Sequence, residues 1–234
     1  MPDNPNDHTA SGRRRFLQTV LSSAIVGAVG RAGMELAIPA SVSAQTKMSP
    51  DAALQELLAG NQRFAANQLT SFDHDLTILK EHTANKQEPF AAVLSCADSR
   101  VPVELVFDQT IGHIFVTRVA GNLVTPEIIA SLEYGVAVLG VKALLVLGHS
   151  GCGAVKAAMK ADTVPGQISA LYPHLRQAVE KSGGDFDKAI EANTKIQAEL
   201  LRTSSTVIRD AVKADKLKVV AGVYDLATGK VTVS

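Results

Sequence analysis

From residue 49 onward the apolar positions fall into two alternating patterns. Leu54, Leu57, Leu58 and Phe64 recur at near-helical spacing behind Ser49-Pro50-Asp51, and a serine cap, a first-turn proline and an early carboxylate predict a helix over 50–66. A more polar helix is expected over 74–86. Phe90 to Ser95, His113 to Thr117 and Lys142 to Gly148 are short, mainly apolar runs that read as buried strands. Thr125-Pro126-Glu127 starts a helix reaching about Leu139, and Gly153 to Lys160 forms another. Two further helices are expected over 167–181 and 187–212. Leu217 to Tyr224 reads as a strand, followed by a turn at Asp225 to Lys230 into Val231–Ser234. Short apolar strands alternating with helices predict an α/β fold. Its central, mostly parallel sheet is flanked by helices and closes on a C-terminal strand hairpin. Ligands of such sheets sit beyond the carboxyl ends of the strands.

The first 44 residues follow another rule. Arg13-Arg14-Arg15-Phe16-Leu17 precedes an apolar stretch from Thr19 to Gly30, and the small-residue segment Pro39 to Ala44 closes it. Cationic start, apolar middle and small-residue end are the parts of an export signal. The Arg13-Arg14 pair ahead of Phe16-Leu17 resembles the twin-arginine type. Residues 1–44 are therefore expected to address the chain to export machinery and a periplasmic or other extracytoplasmic location. Residues 45–234 are expected to form one catalytic domain.

Composition narrows the functions. The chain carries 23 basic and 23 acidic side chains, and no segment concentrates lysine and arginine beside aromatics, which argues against nucleic-acid binding. Two cysteines are present, Cys96 and Cys152. In an exported protein two cysteines suggest one disulfide. Their surroundings suggest a metal instead. Cys96-Ala-Asp98-Ser-Arg100 follows one expected strand, and His149-Ser-Gly-Cys152-Gly153 follows another. Two thiolates and an imidazole suit tetrahedral zinc, and three protein ligands leave the fourth position open, as catalytic sites do. Arg100 can hold Asp98 through paired hydrogen bonds. Held, Asp98 orients the nucleophile; released, it can take the fourth position and close the site. An ordinary ion pair at the start of a helix near Val103 is the plainer alternative.

These segments resemble the β-class carbonic anhydrases. The resemblance runs through Gly60-Asn-Gln-Arg-Phe64, Cys96-Ala-Asp-Ser-Arg100, Arg118-Val-Ala-Gly-Asn122, Ser131-Leu-Glu-Tyr134 and Gly148-His-Ser-Gly-Cys-Gly153. It implies one zinc ion per subunit on Cys96, His149 and Cys152, with Asp98 and Arg100 as the orienting dyad. It implies a substrate pocket of Gln87, Phe115, Ala120, Tyr134 and the backbone amide of Gly153. In the family the glutamine and tyrosine come from a second subunit, which implies a homodimer or a higher homo-oligomer. Two departures stand out. Val119 occupies a position where many members carry asparagine, and the chain has no tryptophan, the residue that marks a non-catalytic bicarbonate site.

The expected reaction is reversible hydration of carbon dioxide to bicarbonate and a proton. Bound to zinc, water can drop from a pKa of about 15.7 to about 7 and attack as hydroxide. His74, His82, His113 and His174 are candidate proton shuttles. Three rivals arise from the sequence, and a purely structural zinc module is the weakest because it needs four closed ligands where only three and the conditional Asp98 are found; the other two stand. One is a related zinc hydrolase of carbonyl sulfide or carbon disulfide. The other is a disulfide-bonded exported binding protein without metal.

Overall fold

The computed structural model describes residues 46–71, 80, 81 and 83–234. The export segment and most of the polar helix expected over 74–86, with His74 and His82, lie outside the described residues.

The first helix, α1 (Pro50–Ala65), starts as its sequence predicts: Ser49 Oγ accepts from the amide of Ala52 at 3.2 Å. Then follow β1 (Ala91–Ser95), the single turn α2 (Val103–Val106), β2 (Ile114–Arg118), α3 (Pro126–Ala137), β3 (Ala143–His149) and α4 (Gly153–Lys160). A 3-10 turn at Ile168–Leu171 leads into α5 (Tyr172–Ser182), so the helix expected over 167–181 opens with a tighter turn. The helix expected over 187–212 is two, α6 (Phe186–Ser204) and α7 (Thr206–Lys213). Ser205 is extended between them. Its hydroxyl accepts from the amide of Ile208 at 3.0 Å and donates to Glu133 Oε1 on α3 at 2.6 Å, so an N-cap restarts the helix at a new angle. The chain ends with β4 (Lys218–Tyr224) and β5 (Val231–Val233).

The strand order is β2-β1-β3-β4-β5, parallel except for β5. β1 and β3 occupy the middle, and every residue of both is buried. Both faces are covered, which is why these runs are apolar throughout rather than alternating. Val93, Leu145 and Leu147 point to one face, against Ala53, Leu54 and Leu57 of α1 and Val103 and Val106 of α2. Ala92, Leu94, Leu144 and Val146 point to the other, against Leu132 of α3, Leu201 of α6 and Ile208 of α7. A third apolar cluster, including Leu123, Val155, Leu175 and Ile190, gathers around Cys96 and Cys152 at the carboxyl end of the sheet.

Two close approaches fix that end. A Cβ on Gly148 would lie 2.5 Å from Thr194 Cγ2, so only glycine lets α6 pass this near β3 just before His149. On the opposite face, the buried carboxylate of Asp108 joins the segment after α1 to the segment after α2. It accepts from the amides of Thr70 and Ser71 at 3.0 and 2.9 Å, from both their hydroxyls at 2.9 and 2.8 Å, and from Arg63 Nε. Burial alone would raise this carboxyl. The Arg63 and Ser71 bonds outweigh it and hold Asp108 well below the usual carboxylate range.

Candidate metal centre

Strand ends place the chemistry. Cys96 follows the last residue of β1, His149 is the last residue of β3, and Cys152 is the cap residue of α4 after a turn through Gly151 at φ +69°. β1 and β3 are neighbours, registered from Ala91 on Ala143 to Ser95 on Leu147. Pairing therefore brings residues 53 and more positions apart to one point. The ligand atoms of Cys96, His149 and Cys152 lie within 4.8 Å of one another, and all three side chains are buried. Both cysteines are free thiols, so no disulfide joins them.

The donor set fits a metal ion. His149 Nδ1 lies 3.0 Å from the carbonyl oxygen of Ser150, a contact that places the ring proton there. Its Nε2 is buried and has no hydrogen-bond partner among the described residues, so a lone pair is left free close to the two sulfurs. An orphaned acceptor in a buried site is costly unless something binds it. The sulfurs are prepared as well. The Cys96 thiol is pushed down, chiefly because the Cys152 thiol donates to it; burial opposes the shift, and the amides of Gly121 and Asp98 assist it. Cys152 moves up because it is that donor and is buried. One sulfur is thus held as thiolate, the form a metal requires.

Asp98 stands beside this triad. Its Oδ2 is 3.8 Å from His149 Nε2. Arg100 grips it at two points, Nε to Oδ1 at 2.9 Å and Nη2 to Oδ2 at 2.8 Å, and the Arg100 amide adds a third bond to Oδ1 at 2.9 Å. The Arg100 side chain holds the Asp98 carboxyl well below the usual range, so Asp98 is an anion and an acceptor at any physiological pH. This is the held arrangement, with Asp98 drawn toward Arg100. Arg100 Nη2 also reaches the carbonyl of Gly151, at 3.4 Å.

The pocket residues divide by position. Ala120 lies in the turn after β2, beside Gly121, whose amide donates to Cys96 Sγ at 3.3 Å. Gly153 opens α4, directly after the ligand Cys152, and a Cβ there would meet nothing within 4 Å. Gln87, Phe115 and Tyr134 are elsewhere. Phe115 and Tyr134 stack with centroids 6.3 Å apart, and Tyr134 shares a surface depression with Gln87, Lys86 and Leu139. Phe115 is registered on Ala92, four residues before Cys96, which at about 3.3 Å per residue puts it roughly 13 Å back along the strand. The chain therefore does not bring these three to its own triad. Of the remaining histidines, His113 and His174 are exposed.

The sequence assigned no role to three supporting groups. Arg118 donates from Nε to the carbonyl of Cys96 at 3.0 Å and from Nη2 to the carbonyl of Asp98, clamping the ligand turn. A charged residue ending an apolar strand was the one hint. Asn193 and Gln197, buried on α6, bond the 121–124 turn from the far side.

Comparison with other proteins agrees with this geometry. The profile of the carbonic anhydrase family matches residues 91–231. The chain is 32% identical over 194 residues to carbonic anhydrase 2 of Mycobacterium tuberculosis, covering 78% of this chain and 91% of that protein. It is 33% identical over 191 residues to the carbonic anhydrase of Mycolicibacterium smegmatis, covering 78% and 92%. Among solved structures, it superimposes on the β-carbonic anhydrase of Coccomyxa in complex with acetazolamide with a TM-score of 0.60 at 30% identity, over 76% of this chain and 85% of that one. The β-carbonic anhydrase CafA of Aspergillus fumigatus gives 0.63 at 27% identity, over 77% and 90%.

Proposed function

Because the chain belongs to the carbonic anhydrase family, we propose that it interconverts carbon dioxide and bicarbonate using one zinc ion held by Cys96, His149 and Cys152. The observation that carries the metal is the unspent lone pair of His149 Nε2, buried among two free thiols. When bound, zinc supplies Lewis acidity that makes a water nucleophilic near neutral pH.

The chain's own groups do the rest. The Ser150 carbonyl fixes the tautomer of His149 and so aims Nε2. Asp98, anionic and immobilised by Arg100, offers only acceptor lone pairs at Oδ2. An incoming O–H must turn its hydrogen to Asp98, which leaves the oxygen lone pair facing away from the carboxylate, toward an apolar gas molecule. Ala120 supplies apolar wall, and the Gly153 amide at the start of α4 suits the negative oxygen of bicarbonate. A second copy of the chain completes the pocket with its Gln87, Phe115 and Tyr134. The placement of Phe115 roughly 13 Å from the triad in its own chain supports that reading, as do the edge position of β2 in the sheet and the 46% exposure of Tyr134.

Export is part of the proposal. The Arg13-Arg14 signature before its apolar stretch supports a periplasmic or extracytoplasmic site of action. Replacing both arginines by lysine should leave the enzyme in the cytoplasmic fraction; unchanged fractionation would refute export by this route.

Stopped-flow hydration of carbon dioxide by the purified protein, with zinc assayed in the same sample, tests the activity. Turnover that follows zinc content supports the proposal. A zinc-loaded protein that is inactive across pH refutes it.

A further inference from the structure

The 119–124 turn is held in a conformation it would not choose alone. Gly121 and Asn122 are consecutive residues at positive φ, +78° and +48°. Glycine adopts that region freely, but a second left-handed residue beside it needs support. The support comes from α6. Asn193 Nδ2 donates to the Gly121 carbonyl at 2.9 Å, and Gln197 Oε1 accepts from the Val124 amide at 2.8 Å. Gln197 Nε2 in turn donates to Asn193 Oδ1 at 3.1 Å, fixing the amide of Asn193 in the orientation that faces Gly121. Both side chains are at most 1% exposed, so no water competes for these bonds.

The other side of the same glycine faces the triad. Its N–H donates to Cys96 Sγ at 3.3 Å. One residue therefore couples a buried helix amide to a ligand sulfur: Asn193 on its carbonyl, Cys96 on its nitrogen. An N–H bond to a thiolate draws charge off the sulfur and weakens what it donates to a metal, which leaves the metal the stronger Lewis acid.

We propose that Asn193 is a positioning residue of the metal centre, which holds the Gly121 peptide so that its N–H bonds Cys96 and tempers the charge this thiolate gives the metal. The proposal rests on the reading of Cys96 as a zinc ligand. Asn193 touches neither substrate nor metal and acts only through Gly121. The coupling spans 72 positions of sequence between Gly121 and Asn193.

The test uses the full chain, loaded with cobalt(II) for spectroscopy and with zinc for kinetics. In Asn193→Ala the thiolate-to-cobalt absorption should move to lower energy. The pH midpoint of kcat should rise, and kcat at neutral pH should fall roughly tenfold. Ser182→Ala is the control. Ser182 is buried on α5 and its hydroxyl bonds the Val179 carbonyl and the Gly184 amide, away from the triad, so its loss should weaken the fold and leave band and midpoint in place. A band and midpoint unchanged in Asn193→Ala, or moved equally by Ser182→Ala, would overturn the proposal. Should Asn193→Ala fail to fold, the wild-type protein loaded with cadmium-113 decides: a through-sulfur coupling between the metal and the Gly121 amide proton is expected, and its absence overturns the proposal. Wild-type protein that binds no metal or hydrates no carbon dioxide would instead defeat the functional reading itself.

Discussion

Asp98 and Arg100, two positions apart, meet side by side: Arg100 Nε and Nη2 each bond one oxygen of the same carboxylate, at 2.9 and 2.8 Å. A pair in this geometry fixes direction as well as charge. Asp98→Ala should lower kcat about 100-fold, within the span of positioned acid–base groups. Zinc content by elemental analysis should stay at one per chain, since three ligands remain. Loss of the metal in this variant would put Asp98 among the ligands.

Releasing the carboxylate should have a different signature. Arg100→Ala frees Asp98, whose Oδ2 already stands 3.8 Å from His149 Nε2, to occupy the fourth metal position. Turnover should fall while zinc is held at least as tightly. The half-time of zinc transfer to a chelator, compared with wild type, measures this, and faster loss would contradict it.

Metal removal should expose the sulfurs. Zinc-loaded protein should react slowly with a thiol reagent in the native state, and chelator-treated protein should yield two thiols per chain, Cys96 and Cys152. Activity and melting temperature should fall together and return with zinc, because a metal bound to the folded chain adds directly to its stability. A chain that yields no thiol after denaturation would hold a disulfide instead.

A shared pocket predicts complementation. Cys96→Ser has no working centre but keeps its own Gln87 and Tyr134. A Gln87→Ala/Tyr134→Ala chain keeps its centre and loses those groups. Unfolded together and refolded, the two inactive chains should give more activity than the sum of each refolded alone. A mixture no better than that sum would mean that each chain builds its whole pocket.

Asp108 predicts a pH dependence of stability. Its carboxyl lies well below the ordinary value in the folded chain, so the unfolded chain takes up the proton first. The stabilisation is complete above about pH 5 and drains away as pH falls through the unfolded value toward the folded one. Asp108→Asn should cost about 3 kcal/mol near neutrality, with its buried donors left poorly matched. The gap in urea midpoint between variant and wild type should narrow from roughly pH 5 to pH 2. A gap independent of pH would assign the cost to shape, not charge.

The sheet was legible because burial on both faces leaves an unbroken apolar run, as in Leu144 to Leu147, that resembles nothing else at that length. Gly153–Lys160 was legible to the residue because a helix that begins on a ligand turn has a defined start. The break at Ser205 was not read, because apolar positions continue from Leu201 to Ile208 and only the hydroxyl contact with Glu133 on a distant helix sets the new angle. The ligand triad could be named in advance, since thiols and an imidazole at strand ends have few other uses. Arg118, Asn193 and Gln197 could not. An asparagine and a glutamine one helical turn apart read as a solvated face, and their partners lie more than seventy positions away. The separation of Phe115 from the triad likewise appears only once β1 and β2 are in register.

The ligands themselves are split between two strands, with Cys96 at the end of β1 and His149 and Cys152 beyond β3. Between the synthesis of the first thiol and of the second, the chain must also make β2 and α3, and neither thiol has its partner until the two central strands dock. Capture of an ion by these ligands would thus be a late event in maturation, an inspection that only a correctly threaded sheet passes. A misregistered chain would be left with two unguarded sulfurs.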